Sequence, residues 1–314
     1  FIRRRLVSQC DFYLQISGGI RHQRLMLTEA KRGGVPSAVL LMGSDVRDYR
    51  VFQRQYDVGD WECPESLYAK PDEKLNILRE VESYASAVFS VPDQMGLAER
   101  PYYHLQIPLD LNRYTPEIPG REIPHILHAP SKSSLKGTAT IESVLEKLKS
   151  NGFQFEYLRL EGVANSEILK ALTKADVLVD QLILHGPGWL GMEAMASGCA
   201  VATRHLADSP PCFRPPLVPI DHRTIYEQLS TLISDREQRI RLAKEGLEDT
   251  KGHAISTVVD RIVGLATKSC STAEDYVPVR TTVRNGDDLR TVHAGNSADK
   301  SDYVGANDSC SERS

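Results

Sequence analysis

The stretch from Val177 to Ala200 constrains the fold of this chain more than any other part of the sequence. Its first three residues, Val177 to Val179, form an apolar run typical of a buried parallel strand. Glycines follow at positions 186, 188 and 191, and the helix-forming segment MEAMAS is closed by Gly198. A glycine turn that opens a helix favours an anion, because free N–H groups and the positive end of the helix dipole face it. Glu193 lies one turn inside that helix, where its carboxylate can accept hydrogen bonds from sugar or ribose hydroxyls. The pattern therefore predicts a nucleotide or sugar-phosphate site.

The composition indicates an ordinary globular protein with two α/β cores, since the chain has 314 residues with 41% hydrophobic and 25% charged content. A net charge of −4 argues against a dedicated nucleic-acid-binding protein, which needs a basic face. The segment Arg3 to Arg5 is either a solvated helix face or a patch that contacts anionic lipid or a charged acceptor. The sequence lacks an apolar run of roughly 18 residues, and its cysteines lack metal-ligand spacing. We therefore expect a cytoplasmic protein, with peripheral membrane contact as the open alternative and no bound metal.

Alternating strands and helices predict a first parallel-sheet domain over residues 1–112. The expected strands are Asp11 to Ser17, Ala38 to Met42, Ala87 to Val91 and Tyr102 to Ile107, with helices at 20–31 and 65–84. Open α/β sheets bind ligands at the carboxyl ends of their strands, so Asp45 is a candidate catalytic residue that faces the cleft with Arg47. The alternative is that Asp45 caps a turn and Arg47 pairs at the surface. The aromatic segment 48–64 either covers an acceptor or packs as a loop.

A second domain is predicted over residues 113–268, after a proline-rich boundary near 112–123, with its last helix packing back on the first domain. The strand His125 to His128 precedes a polar loop and a helix, for which Thr138 is the expected cap. Lys136 and neighbouring hydroxyls suit a pyrophosphate, because each charge-assisted hydrogen bond contributes roughly 1.5–3 kcal/mol. The alternative for Lys136 is a solvated side chain. A short helix at 166–174 is expected to be capped by Asn165, and the polar segment 269–314 is expected to be disordered.

Three segments of this second domain carry a family resemblance. In order along the chain they read HAPSKSSLKGT, LRLEGVANSE and ADVLVDQLILHGPGWLGMEAMASGCAVAT. Together they resemble the donor-binding half of GT-B glycosyltransferases, in particular the retaining nucleotide-sugar enzymes of glycosyltransferase family 4, also called group 1. GSDVR and PLDLNRYTP resemble the N-terminal domain and the interdomain hinge of bacterial members. The resemblance extends from about residue 11 to about residue 266 and is most specific between His128 and Ala202.

The resemblance implies two Rossmann-like, doubly wound parallel-sheet domains that face a cleft. It implies transfer of a sugar, as in a hexosyltransferase of polysaccharide biosynthesis, from a nucleoside diphosphate donor to a glycan or lipid-linked acceptor. Retention is implied, with no metal and no cofactor. Lys136 matches the family's phosphate-binding lysine and Glu193 its ribose-binding glutamate. The residues expected to bind the donor are Ser131, Lys132, Val163, Gly188, Trp189, Leu190 and Glu193.

Two departures from the family pattern and an incomplete start affect the prediction. The basic residue that usually precedes the lysine is out of register, since Ser133 stands where an arginine is common and Lys132 lies one step earlier. Many members carry a glutamate eight positions before Glu193, where this sequence has His185, which can donate a hydrogen bond and titrates near neutrality. His185 is therefore either a catalytic residue, with Lys136 and Asp45, or a packed side chain. A complete first domain would open with a strand, a glycine-rich turn and a helix, none of which is recognisable before Asp11. We therefore expect a truncated N-terminal domain and a form that is inactive or incomplete.

Three other functions remain open from the sequence. GPGWLG, from Gly186 to Gly191, fits the dinucleotide fingerprint of NAD(P)-dependent oxidoreductases, but no acidic residue ends the next strand, where Thr203 and Arg204 stand. A non-catalytic nucleotide-sugar-binding protein of the same fold is favoured by His185 and the incomplete start. A sugar-nucleotide epimerase of similar architecture is the third alternative. The base, the sugar, the acceptor and the oligomeric state are left undetermined.

Overall fold

The computed structural model describes residues 2–17, 21–49, 52–53, 56–64, 71–91, 97–99, 102–205 and 214–268, together with strands at 281–285 and 288–292. Within these ranges the chain forms two parallel sheets, each covered by helices, which confirms the predicted α/β class. We call the residues up to 110 the first half and those from 111 to 268 the second half. No helix in the described ranges is long and apolar enough to cross a membrane.

The first half contains a four-stranded parallel sheet in the order β1-β2-β3-β4. Its strands are β1 (Tyr13–Ile16), β2 (Ser37–Leu41), β3 (Ala87–Ser90) and β4 (Tyr103–His104). Its helices are α1 (Ile2–Val7), α2 (Arg21–Gly33), the single turn α3 (Gly43–Val46) and α4 (Pro71–Tyr84). Every residue of β2 and β3 is buried, as expected for parallel strands that helices cover on both faces. The predicted helix start at 65–70 lies outside the described residues.

The second half contains a five-stranded parallel sheet in the order β6-β5-β7-β8-β9. Its strands are β5 (His125–His128), β6 (Glu156–Arg159), β7 (Val177–Val179), β8 (Ala200–Thr203) and β9 (Val218–Pro219). Its helices are α5 (Ser133–Lys136), α6 (Thr138–Ser150), α7 (Asn165–Leu172), α8 (Trp189–Ala196), α9 (Ile225–Ser234), α10 (Arg236–Thr250) and α11 (Ile255–Thr267). A separate apolar cluster covers each face of the sheet, so the strands lie at the centre of a three-layer sandwich.

The last helix crosses back to the first half. The backbone of Leu109 donates to the carbonyl of His253 at 2.7 Å and accepts from Ile255 at 3.1 Å. From there α11 buries Val258 and Ile262 in the same cluster as the apolar residues of β2 and β3. The two halves are therefore linked by the chain near residue 111 and again by α11.

Two predicted helix caps differ from the structure. Thr138 is the first residue of α6, and its hydroxyl lies 2.9 Å from Nε2 of buried His128, because a sheet histidine needs a polar partner. Gly137, with φ +73°, occupies the cap position instead. Asn165 is the first residue of α7 and follows Ala164 at the cap. Thr138 and Asn165 are thus both helical, one position inside the predicted cap site.

Two further segments fall at the ends of the described chain. The basic segment Arg3 to Arg5 belongs to α1, but the side chains of Arg3 and Arg4 lie outside the described residues. Within the polar segment 269–314, residues 281–285 and 288–292 pair as an antiparallel hairpin. Their β-branched residues and the Gly-Asp sequence at 286–287 between them favour such a hairpin. The rest of that segment lies outside the described residues.

Candidate active site

Lys136 lies at the carboxyl edge of the second sheet because β5 and β7 are neighbours there. Its ammonium donates to Asp180 Oδ1 at 2.7 Å and to Gln181 Oε1 at 2.8 Å. Both partners follow β7 directly, while Lys136 ends α5, so parallel pairing of two strands brings together residues 44 positions apart. The Lys136 side chain is 14% exposed, whereas that of Asp180 is wholly buried. The structure therefore places the predicted phosphate-binding lysine in a buried ion pair, at the edge of the sheet where β5 leads into α5 and β7 into the glycine loop.

The glycine loop lies against this ion pair. The Gly188 N–H, at the cap of α8, donates to Asp180 Oδ2 at 3.0 Å. A Cβ at Gly188 would lie 3.7 Å from the Lys136 ammonium, so lysine and loop are in contact. A Cβ at Gly191 would lie 3.1 Å from Asp180 Oδ2 and 2.8 Å from Pro187, which explains why this turn requires glycine. The positive end of α8, the lysine and the loop thus meet around the Asp180 carboxylate.

Glu193 is the second charged group of this region and lies one turn further along α8. Asn165 Nδ2 is 3.5 Å from both of its carboxylate oxygens, and the Tyr114 hydroxyl is a further hydrogen-bond partner. Arg113 donates to Asn165 Oδ1 at 3.2 Å, so the hinge segment reaches the carboxylate through two side chains. Burial raises the pKa of Glu193, while burial and the adjacent carboxylate raise the pKa of Tyr114 to about 12. The Glu193 carboxylate is therefore a hydrogen-bond acceptor that lies where α7, α8 and the hinge residues Arg113 and Tyr114 meet.

His185 lies beneath the loop and is fully buried. Its ring centroid is 4.2 Å from that of Tyr56, which it meets edge-on, and 5.3 Å from that of Phe52. Burial, together with the nearby cations of Arg204 and Arg47, lowers the pKa of His185 to about 2. The structure thus holds a neutral imidazole in an aromatic cluster, which agrees with the packed alternative. A catalytic role for His185 stays a prediction.

Asp45 and Arg47 have different surroundings: Asp45 caps a helical turn, whereas Arg47 is buried against an aromatic ring. Asp45 accepts from the Met42 N–H at 2.9 Å and from the Ser17 hydroxyl at 2.8 Å, which caps the single turn α3. Arg47 is buried, donates to the Tyr49 hydroxyl at 3.0 Å and lies 5.1 Å from the centre of that ring. The alternative in which Arg47 pairs at the surface is therefore wrong, because the aromatic side chain provides a buried partner for the guanidinium, and a role for Arg47 in the cleft stays a prediction. Catalysis by Asp45 stays a prediction, and its capping contacts match the alternative.

The remaining predicted donor-binding residues surround the loop. Ser131 and Lys132 are exposed just before α5, and Val163 is half-buried after β6. Trp189 is 45% exposed at the first position of α8, whereas Leu190 packs against the apolar cluster beneath it. Lys136 thus lies beside Gly188 at the start of α8, and Trp189 and Glu193 lie on α8 itself, whereas Asp45 lies on the other half of the molecule. No group of three metal-ligating side chains occurs in the described part of the chain.

The aromatic segment of the first half packs onto this same edge of the second half. Trp61 donates through its indole N–H to the carbonyl of Ser134 at 2.8 Å, on the turn that carries Lys136. Asp57 pairs with Arg223, and its carbonyl accepts from Arg204. These contacts close the two halves on each other beside the lysine. Of the two alternatives for the segment, packing is what its described residues show.

Sequence reasoning missed Asp180, Gln181 and the Trp61 contact. Asp180 directly follows a buried parallel strand, which is the same signal that singled out Asp45, so it could have been found. Gln181 and Trp61 carry no comparable signal, because their partners depend on how the sheet and the two halves are arranged.

No protein-family model and no curated protein sequence matches the chain. Solved structures are similar to it in fold. An alpha-glucosyltransferase in complex with UDP and a 13-mer DNA containing an HMU base aligns at TM-score 0.53 and 15% identity, over 84% of this chain and 82% of that one. A TarM variant of S. aureus, solved with fondaparinux, alpha-GlcNAc-glycerol and UDP, aligns at TM-score 0.53 and 11% identity over 74% of this chain.

A third similar structure is a trehalose-6-phosphate synthase studied with bisubstrate glycomimetics, at TM-score 0.55 and 10% identity, over 85% of this chain and 78% of that one. The chain spans 51% of the TarM variant, about half of its length. At these identities the similarities establish architecture, and they agree with the two parallel sheets described above. The chain therefore has the GT-B fold, as the sequence predicted.

Proposed function

We propose that this protein is a glycosyltransferase that moves a sugar from a nucleoside diphosphate donor. The observation that carries the proposal is that Lys136 lies beside the Gly188 N–H at the start of α8, with Glu193 one turn further along the same helix. A lysine with a helix N-terminus is suited to a diphosphate, and a carboxylate one turn further is suited to ribose hydroxyls. Two of the similar structures were solved with UDP, which supports a nucleotide donor.

In this proposal the residues of the second half do the electrostatic work of the reaction. The leaving diphosphate gains negative charge as the glycosidic bond breaks, and the Lys136 ammonium together with the N–H groups of Gly188, Trp189 and Leu190 stabilises that charge. Glu193 fixes the nucleoside so that the diphosphate meets the loop in one orientation. We assign the base to the backbone near Val163, and Ser131 and Lys132 to the outer phosphate.

The finer assignments rest on the sequence resemblance. They are transfer of a hexose with retention to a glycan or lipid-linked acceptor, without a metal ion, by a cytoplasmic protein that contacts the membrane peripherally. The similarity to a trehalose-6-phosphate synthase studied for glycosyl transfer with retention supports the stereochemistry. Catalytic roles of Asp45 and His185 are proposed from the sequence pattern alone.

The experiment is a thermal-shift screen of the full chain with UDP, GDP, ADP, their sugars and NADH, followed by donor-hydrolysis and transfer assays. At least one nucleoside diphosphate is expected to raise the melting temperature, and NADH is not. Lys136→Met is expected to reduce the shift, whereas Lys174→Met, an exposed lysine after α7, serves as the matched control and leaves it unchanged. A shift with NADH alone refutes the proposal.

The second candidate is a nucleotide-sugar-binding protein that does not turn its ligand over. It is favoured by one observation, the complete burial of His185 at a position where related enzymes commonly carry a glutamate. Donor binding without hydrolysis or transfer to any glycan or lipid acceptor would establish this alternative.

A further inference from the structure

Asp180 occupies the place where an anion is expected. Its carboxylate lies between the Lys136 ammonium, 2.7 Å from one oxygen, and the Gly188 N–H, 3.0 Å from the other. These are the two groups that the proposed function assigns to the donor diphosphate. The carboxylate is wholly buried, and the missing Cβ of Gly191 gives it room beside the helix.

The charges around this carboxylate balance when no ligand is bound. The lysine carries one positive charge and Asp180 one negative charge, which avoids the cost of an uncompensated buried ion. In the described part of the chain the ammonium has two acceptors, Asp180 and Gln181, which leaves one of its three N–H groups for a ligand. A diphosphate that approaches Gly188 and Lys136 therefore meets a fixed negative charge already bonded to both.

We propose that Asp180 is an internal counter-anion that competes with the diphosphate for Lys136 and the Gly188 N–H. This inference rests on the proposed function and deepens it. A transferase that holds a leaving diphosphate with a lysine and a helix terminus must also let that product go, and like charges within a few ångströms weaken binding. Asp180 thus keeps the site neutral when empty and limits the affinity for the nucleoside diphosphate product.

The test is the substitution Asp180→Asn, which keeps the shape and a hydrogen-bond acceptor and removes the charge. The dissociation constants of UDP, GDP, ADP and inorganic pyrophosphate are measured by titration calorimetry on the full chain. For the nucleotide that binds the wild type, D180N is expected to lower the dissociation constant at least tenfold. Since damage to the fold weakens binding, tighter binding separates this role from a merely structural one.

The matched control is Asp176→Asn, at the opposite end of β7. Asp176 is also buried and also ion-paired, with Arg121 at 3.1 Å, and it accepts from the His125 N–H at 2.7 Å. It lies away from the loop, so D176N is expected to leave the dissociation constant within twofold of the wild type. Circular dichroism and thermal melting verify that both variants are folded.

A second comparison covers the case in which D180N does not fold because Lys136 loses its partner. The double variant Lys136→Met with Asp180→Asn contains no unpaired charge and is compared with Lys136→Met alone. The double variant is expected to bind the nucleotide at least threefold more tightly, because only the single variant keeps the repelling carboxylate. Equal or weaker binding in the double variant, or in folded D180N, overturns the inference. Absence of nucleotide binding by the wild type refutes the proposed function itself, so the two failures are distinguishable.

Discussion

The burial of His185 predicts a specific loss of stability in acid. Its pKa is about 2 in the folded chain and 6.5 for a free imidazole. Between these values the unfolded chain binds a proton that the folded chain does not, so the free energy of unfolding rises with pH across this window and falls on acidification. At pH 5 the free energy of unfolding is therefore about 2 kcal/mol lower than at pH 7, because each pH unit below 6.5 costs about 1.36 kcal/mol.

The assay is urea unfolding of the wild type and of His185→Gln at pH 7, 6 and 5. The variant lacks this proton, so its free energy of unfolding should fall by about 2 kcal/mol less than that of the wild type between pH 7 and pH 5. His104, whose pKa burial lowers to about 3, contributes equally to both proteins and cancels. Ile183→Val, in the same aromatic cluster, is the control and should shift the curve equally at every pH. Parallel pH dependence in wild type and H185Q would refute a neutral, buried imidazole.

Three further predictions follow from single contacts. Gly198→Ala should lower the free energy of unfolding by about 2–5 kcal/mol in urea titrations, because φ is +87° and the new Cβ would lie 2.5 Å from a hinge carbonyl oxygen. Gly152 also has a positive φ, +90°, but a Cβ built there would have no atom within 4 Å, so Gly152→Ala should lower the free energy of unfolding by only about 1–2 kcal/mol. Equal losses in the two variants would contradict the clash at Gly198. Trp61→Phe removes the hydrogen bond to the Lys136 turn and should cost about 0.5–1.5 kcal/mol, and an unchanged urea midpoint would exclude that contact in solution. Glu193→Gln should weaken nucleotide binding by about 1–3 kcal/mol in calorimetry, unlike the exposed control Glu167→Gln, and equal affinities would remove Glu193 from the site.

The sequence predicts parts of the second half well where the signals are local, whereas β6 is half as long as the predicted strand 153–160 and β9 lies within a predicted loop. The bounds of β5 and β7 agree residue for residue, since short apolar runs are flanked there by polar residues and a proline. Gly198 follows α8 with φ +87°, as a glycine that closes a helix should. In the first half β2 is predicted at the right length but one residue too late, and the other three strands are predicted one to four residues too long, because apolar residues continue beyond the paired segments.

The contacts that define the candidate site are not local, and the sequence pattern does not contain them. The partner of Lys136 is 44 positions away, and the Trp61 contact spans 73 positions between the two halves. Arg47 shows a different limit, because its partner Tyr49 is only two positions away, but arginine is usually exposed and its burial here depends on the packed rings of Tyr49 and Phe52. The local sequence pattern thus predicts which loops carry the residues of the candidate site. Which residues of those loops contact each other depends on the tertiary structure.

The most direct measurement of the central claim is a crystal structure of the full chain with the nucleoside diphosphate that binds it. We expect a phosphate oxygen within hydrogen-bond distance, about 3 Å, of the Lys136 ammonium and of an N–H in the glycine loop, and a ribose hydroxyl on Glu193. A nucleotide bound elsewhere, with the ion pair of Lys136 and Asp180 unchanged and Glu193 untouched, would contradict the account.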